Sequence, residues 1–140
     1  MPVIGSGGRT ANDLTNERVQ ARDLAAVAAR AADSKGARDV VILEVGDVLV
    51  VTDEFVIASA PNDRLVKAIV DEVERVVVEK GHPKPLRVEG LDDRHWVLMD
   101  YGDVVVHVFL DETRDYYELE RLWGDVPRVE WAAAAAAQRP

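Results

Sequence analysis

The stretch WVLMDYGDVVVHVFL, residues 96–110, carries the clearest structural signal in this chain of 140 residues. Two runs of β-branched and aromatic residues, 96–101 and 103–110, lie on either side of Gly102, which is the pattern of two strands joined by a tight turn. Both alternating sets of positions in these runs are largely apolar. Because a strand that is apolar on both faces is buried on both faces, we predict a hairpin that lies at the centre of a sheet or presents one face to an interface.

Upstream of the hairpin, apolar residues at helical spacing predict two helices. The first is expected over about residues 16–35, with Thr15 as its cap and Gly36 as its stop. The second follows the cap residue Asn62, carries an apolar stripe on one face and ends at Gly81.

Extended segments between and after these helices supply the remaining strands, and they lie at residues 40–45, 48–51, 55–60 and 85–90. The second of them is either a strand or an irregular segment. The order αβββαβββα, or the same order with one strand fewer near its start, predicts a single α/β domain with a mixed β-sheet flanked by helices. That domain is expected over residues 14–128, after a flexible N-terminal arm at 1–13 and before a low-complexity C-terminal tail at 129–140.

The composition excludes several classes of protein. The chain has no cysteine, so it forms no disulfide, no thiolate zinc site and no cysteine nucleophile. No run reaches the roughly 18 apolar residues of a membrane span, and the first residues lack the pattern of a signal peptide. We therefore expect a cytoplasmic protein without membrane contact.

The charge is strongly negative and unevenly distributed. The net charge is −9, and residues 89–125 alone hold eleven acidic side chains against three arginines. Such a stretch repels nucleic-acid phosphates and attracts a basic protein surface, so little direct nucleic-acid contact is expected. A solvated acidic surface that keeps the protein soluble is the alternative explanation.

Signatures of catalysis are weak. No phosphate-binding, dinucleotide-binding or nucleophile-elbow motif is present. Asp100 and Asp103 flank Gly102, where paired carboxylates would hold Mg²⁺ for nucleotidyl transfer, but tight turns require the same residue types. His107 lies inside an apolar strand and is more simply a hydrogen-bonded core or interface residue than a base.

Aromatic residues cluster inside the acidic stretch. A short last helix is expected there, capped by Thr113 and ended by Gly124. Six of the eight aromatic residues lie between 96 and 123, namely Trp96, Tyr101, Phe109, Tyr116, Tyr117 and Trp123. Tyrosine and tryptophan beside an arginine such as Arg114 are typical of binding hot spots. The alternative is that some of these rings only dock the last helix, in which Tyr116, Leu119 and Trp123 share a face, on the sheet.

Three blocks of this sequence resemble one known family. FVIASAPNDRLVKAIVDEVE begins at residue 55, LRVEGLDDRHWVLMDYGDVVVHVF at 86 and RDYYELERLWGD at 114. Together they are similar to the ribosome silencing factor family, also called RsfS or Iojap-related proteins, over about residues 20–128. The resemblance implies a nucleotidyltransferase-like α/β fold without demonstrated transferase activity. We expect no metal or other cofactor.

The same resemblance implies a function and a set of binding residues. Proteins of this family are expected to bind the large ribosomal subunit through ribosomal protein L-fourteen. They block its association with the small subunit and so repress translation under starvation or in stationary phase. The residues carried over as partner-binding are Trp96, Asp100, Tyr101, Asp103, His107, Arg114, Tyr116, Tyr117, Leu119, Glu120 and Trp123. The family blocks also match Gly102 and, upstream, Asp53, Phe55 and Ile57, whereas residues 45–51 depart from the expected Ser-containing segment.

Two other classes of function remain open at the level of sequence. A Mg²⁺-dependent nucleotidyltransferase would use Asp100 and Asp103. A homodimeric interaction module would use the apolar hairpin face, and dimerisation would then compete with ribosome binding by covering the same surface.

Overall fold

The apolar strands of the sequence assemble into one mixed sheet with helices around it. The computed structural model describes residues 11–49, 51–118, 121 and 124–131. The helices are α1 (Ala11–Ser34), α2 (Asp63–Glu79) and α3 (Asp111–Tyr117), and the strands are β1 (Arg38–Glu44), β2 (Glu54–Ala60), β3 (Arg87–Glu89), β4 (Trp96–Asp100) and β5 (Val104–Leu110). The α/β class with a mixed sheet flanked by helices is confirmed, in the version with one early strand fewer.

The five strands lie in the order β1-β2-β5-β4-β3. The central pair, β2 and β5, is parallel and the other pairs are antiparallel. The predicted hairpin of β4 and β5 is confirmed, and β5 lies at the centre of the sheet, which explains why both of its faces are apolar. Opposite His107 lie Ile57 on β2 and Leu98 on β4, so these three residues share one face.

Helices α1 and α2 cover one face of the sheet, which we call the helix-covered face. Its strand residues are mostly valine and alanine, and they pack against the apolar stripes of both helices. The predicted cap of α2 is confirmed, since the Asn62 side chain accepts a hydrogen bond from the Leu65 backbone N–H at 2.8 Å. Gly81 follows the end of α2 with a φ of +92°, as its predicted stop requires.

The opposite face carries most of the rings of the sheet, and we call it the aromatic face. It is formed by Leu43, Phe55, Ile57, Trp96, His107 and Phe109. Leu49 and Val126 pack against it, and α3 contacts its central strands. No long helix covers this face in the part of the chain that is described, but its central residues Ile57, His107 and Phe109 are buried, so only its rim at Trp96 is open.

For residues 48, 49 and 51 the irregular alternative is confirmed: the N–H groups of Val48 and Leu49 donate to the Val45 carbonyl in a turn, while residue 50 lies outside the described part. Two expectations about helix boundaries were wrong. Helix α1 begins at Ala11, so Thr15 lies inside it rather than at its cap.

The second concerns α3, which begins at Asp111 after a Leu110 cap with no side-chain hydrogen bond, so Thr113 is not its cap. Helix α3 ends at Tyr117, where Glu118 adopts the left-handed conformation at φ +48°. Between Glu118 and Gly124 the structure describes Arg121 alone, which is helical.

The end of the described chain covers the outer edge of β1. The Val129 N–H donates to the Ile42 carbonyl at 3.0 Å, and the Trp131 indole N–H donates to the Val40 carbonyl at 3.1 Å. Covering an edge strand in this way blocks unwanted pairing with other chains. None of the helices in the described residues is long and apolar enough to cross a membrane.

Candidate functional site

A groove of about 690 Å³ opens between α3 and the loop that leads into β4. Its walls combine aromatic rings with carboxylates, and they are formed by Gly90, Asp93, His95, Trp96, Leu110, Glu112, Thr113, Tyr116 and Tyr117. We call this feature the aromatic groove. It brings together three of the predicted partner-binding residues, Trp96, Tyr116 and Tyr117.

The three rings of the groove form a connected series. The centroid of Trp96 lies 4.9 Å from that of Phe109 in the sheet and 5.1 Å from that of Tyr117 on α3. Tyr117 in turn meets Tyr116 at 5.0 Å with perpendicular rings, a favourable geometry for aromatic pairs. Tyr116 is 80% exposed, so it does not dock α3 on the sheet and is open to a partner.

The loop before β4 is held against Trp96 by a glycine that no other residue can replace without a shift. A Cβ atom at Gly90 would lie 2.1 Å from the Trp96 carbonyl oxygen, and Gly90 has a φ of +91°. The Arg94 N–H donates to the Gly90 carbonyl at 3.0 Å, and the His95 carbonyl accepts from the Leu110 N–H at 2.9 Å. The loop and the start of α3 are therefore fixed relative to each other, which fixes the shape of the groove.

Arg114, which was predicted to bind the partner, instead anchors helix α3 to the sheet. Its guanidinium is buried, and Nη1 donates to Ser59 Oγ at 3.0 Å and to the Arg38 carbonyl at 3.3 Å. An ion pair of 2.9 Å between Arg38 and Asp111 holds the first turn of the helix in place. Arg114 thus ties α3 to the end of β2 and leaves the tyrosines on the outer side of the helix.

His107 lies at the centre of the aromatic face, 5% exposed. The Trp96 indole N–H donates to His107 Nδ1 at 3.1 Å, and the His107 ring meets Phe55 edge to face at 4.7 Å. Burial lowers the pKa of His107 to about 4, so the ring is neutral near pH 7. This agrees with the reading of a hydrogen-bonded core histidine.

The predicted pair of aspartates is engaged in the turn between β4 and β5. Asp100 Oδ1 accepts from the Gly102 N–H at 2.8 Å, and its Oδ2 lies 3.3 Å from Arg87 Nε. The Asp103 carbonyl accepts from the N–H groups of Asp53 and Glu54. Turn chemistry accounts for the side chain at Asp100, whereas Asp103 contributes its backbone carbonyl. The described residues include no group of three or more histidine or acidic side chains placed to hold a metal ion.

The remaining predicted residues lie away from the groove or outside the described chain. Tyr101 is buried in the helix-covered core, its hydroxyl has no hydrogen-bond partner among the described residues, and burial raises the pKa of its phenol. Tyr101, His107 and Arg114 can therefore act on a partner only through exposed neighbours. Leu119, Glu120 and Trp123 lie outside the described residues.

Sequence reasoning missed part of the groove. Asp93, His95, Glu112 and Thr113 line it but were not among the predicted partner-binding residues. The signal that points to them is Gly90 followed by two aspartates and a histidine directly before Trp96, which predicts a tight acidic loop beside the aromatic strand.

Comparison with known proteins identifies close relatives. The family described as "Ribosomal silencing factor during starvation" matches residues 18–140. "Ribosomal silencing factor RsfS" of Halalkalibacterium halodurans is 42% identical over 109 residues, which cover 78% of this chain and 92% of that protein. The mouse protein "Mitochondrial assembly of ribosomal large subunit protein 1" is 36% identical over 91 residues, 64% of this chain and 40% of its own length.

The fold has a counterpart among solved structures. A crystal structure of a protein from Chromobacterium violaceum aligns with a TM-score of 0.70 and 33% sequence identity, over 74% of this chain and 85% of that one.

Proposed function

The chain belongs to the ribosomal silencing factor family, and from this premise we propose that it binds the large ribosomal subunit through ribosomal protein L-fourteen. The bound protein would occupy space that the small subunit needs, and would so repress translation under starvation or in stationary phase. Steric blocking requires only occupancy of the site and no catalytic residue. The protein would act in the cytoplasm, where the subunits join.

The observation that carries this proposal is the exposed aromatic series around the groove. Tyr116 and Tyr117 stand on a helix that is anchored from behind, and Trp96 is held by the sheet. Large rings that are ordered before binding lose little conformational entropy in a complex, which is why such residues dominate binding energies. These rings would therefore make the main contacts with the surface of the ribosomal protein.

The charge around the groove supports a basic partner. Asp93 and Glu112 line the groove beside the rings, and Asp115 and Glu118 are exposed on the same short helix. Carboxylates beside aromatic faces suit lysine and arginine side chains, through ion pairs and cation–π contacts. The same charges steer association with a basic protein and oppose contact with rRNA phosphates.

We also propose that the sheet is related to the nucleotidyltransferase fold, without the transferase activity. The engagement of Asp100 with Gly102 and Arg87 supports the second part of this proposal, because a metal-binding carboxylate pair would have to give up these bonds. The alternative is a homodimer formed through the aromatic groove. The test below distinguishes it from ribosome binding.

Co-sedimentation with purified large and small subunits tests the proposal. The wild-type protein should pellet with large subunits only and should reduce their joining to small subunits. Tyr116→Ala should weaken this binding by about tenfold or more, as for a hot-spot aromatic. The matched control is Leu86→Ala, which removes a side chain that is 76% exposed near the Gly102 turn, at the other end of the sheet.

Three outcomes would contradict the proposal. The wild type would remain in the supernatant at low salt, or bind both subunits alike, or Leu86→Ala would weaken binding as much as Tyr116→Ala. Light scattering at the same concentrations reports a homodimer, and loss of that dimer in Tyr116→Ala together with unchanged ribosome binding would assign the groove to self-association instead.

A further inference from the structure

His107 occupies a position where an aliphatic side chain would pack more simply. It lies in the central strand, between Ile57 and Leu98, with the rings of Phe55 and Phe109 beside it. Its neighbours on the described part of this face are thus apolar, apart from the indole N–H of Trp96. What histidine supplies here, and leucine or phenylalanine would not, is a hydrogen-bond acceptor inside an apolar face.

That acceptor comes at an energetic cost to the fold. A neutral imidazole that accepts at Nδ1 carries its proton on Nε2. Nε2 is buried and has no hydrogen-bond partner among the described residues. Leaving a buried donor unpaired destabilises the folded state, so the residue at this position is explained by something other than stability.

The side-chain hydrogen bond that His107 accepts from Trp96 is directed at the groove. It fixes the Trp96 indole, which is half-buried at the first position of β4 and forms the wall of the groove against Tyr117. An indole held only by apolar contacts has alternative rotamers of similar energy, whereas one directional hydrogen bond selects a single orientation.

We propose that His107 is the positioning residue of the aromatic groove. Its Nδ1 holds the Trp96 ring, and through that ring Tyr117, in the orientation that the ribosomal partner binds. The inference rests on the proposed function for its partner, but its first half concerns the free protein alone. It assigns His107 an indirect role, because the side chain itself is buried.

Two substitutions at one position separate the acceptor from the packing. In His107→Asn the amide oxygen takes the place of Nδ1 at the same number of bonds from Cβ, so the Trp96 hydrogen bond is kept. His107→Leu fills the apolar site without an acceptor. Trp96→Phe removes the donor instead and serves as an independent third variant, in which adding His107→Leu should have no further effect on binding.

The first readout is the indole N–H resonance of Trp96 in the free protein, assigned by its loss in Trp96→Phe. In the wild type and in His107→Asn, this resonance should be shifted from the position of a solvent-exposed indole, and its proton should exchange slowly with water. In His107→Leu the proton should exchange with water much faster. The second readout is affinity for large subunits, which should fall by about tenfold in His107→Leu and largely recover in His107→Asn.

The proposed function and the positioning role of His107 are contradicted by different results. If the wild type fails to bind large subunits, the proposed function is wrong, and the positioning role toward that partner falls with it, whatever the indole resonance shows. If the wild type binds and a folded His107→Leu binds equally well, the proposed function stands and the positioning role is wrong. Equal weakening in both variants at position 107 would likewise overturn the role of the acceptor.

Discussion

The two faces of the sheet hold their residues by different means. On the helix-covered face, side chains such as Val56, Val106 and Met99 are fully buried against α1 and α2 and make contacts without direction. On the aromatic face Ile57 and Phe109 are equally buried, but one ring, that of Trp96, is also oriented by a directional hydrogen bond to His107. The faces therefore differ in this buried polar contact, which costs some stability and defines the orientation of a ring in the groove.

Each face also contains a buried polar group that tests this comparison. Glu54 points to the helix-covered side at the start of β2, directly opposite Glu44 on β1. Arg22 of α1 bridges both carboxylates, at 2.9 Å to Glu54 and at short range to Glu44. Glu54 thus connects the sheet to α1 through Arg22, whereas His107 connects the sheet to Trp96 in the wall of the groove.

The largest effect is expected from removing that bridge on the helix-covered side. Arg22→Met leaves the buried Glu54 carboxylate without its cation and should lower the free energy of unfolding by about 2 to 3 kcal/mol at pH 7. Burial raises the pKa of Glu54 while Arg22 opposes that rise, so the variant should bind a proton still more readily. The folded state then binds protons more tightly than the unfolded state, and the deficit should shrink as the pH falls toward 5.

Urea unfolding of Arg22→Met at pH 7 and pH 5 measures this deficit, and adding Glu54→Gln should restore most of the lost stability. A deficit that is independent of pH, with no recovery in the double variant, would mean that Arg22 acts through packing of its stem rather than through charge.

A smaller change in stability is expected from His107 on the aromatic face. Its pH dependence is opposite to that of Arg22→Met, because here stability is lost as the pH falls. The pKa of His107 is lowered in the folded protein to about 4 from 6.5, so between these values the unfolded chain binds more protons. Stability from this residue is complete above pH 6.5 and is lost as the pH falls toward 4. A drop to pH 5 should cost about 2 kcal/mol.

The measurement is urea unfolding at pH 7.5 and pH 5 for the wild type and His107→Leu, which lacks this titration. The difference between the two pH slopes isolates His107 from the carboxylates, which are shared by both proteins. If stability changed equally with pH in both proteins, folding would leave the pKa of His107 unchanged. The ring would then be protonated in the folded state at pH 5, and its environment would be less apolar than the structure shows.

The elements differ in how well the sequence predicts them. The hairpin and α2 were predictable because their apolar periodicity is local and continuous. For residues 48–51 the sequence left a strand and an irregular segment open, because the turn there depends on the Val45 carbonyl and leaves Val48 and Val51 exposed. Propensity alone assigns such valines to a strand.

Within the candidate site, single residues were predictable and their assembly was not. Trp96, Tyr116 and Tyr117 stand out by composition, but the groove exists because the Leu110 N–H bonds to the His95 carbonyl across the edge of β4 and β5. The role of His107 depends on the register that places it near the Trp96 indole, and a sequence does not fix that register.

The central claim is that the ribosomal partner binds the aromatic side and not the helix-covered side. Amide hydrogen exchange of the protein, free and saturated with large subunits, tests this claim most directly. We predict slower exchange over residues 91–96 and 112–118, around the groove, and unchanged exchange on the outer surface of α2. Protection confined to α2, with the groove exchanging as in the free protein, would contradict the account.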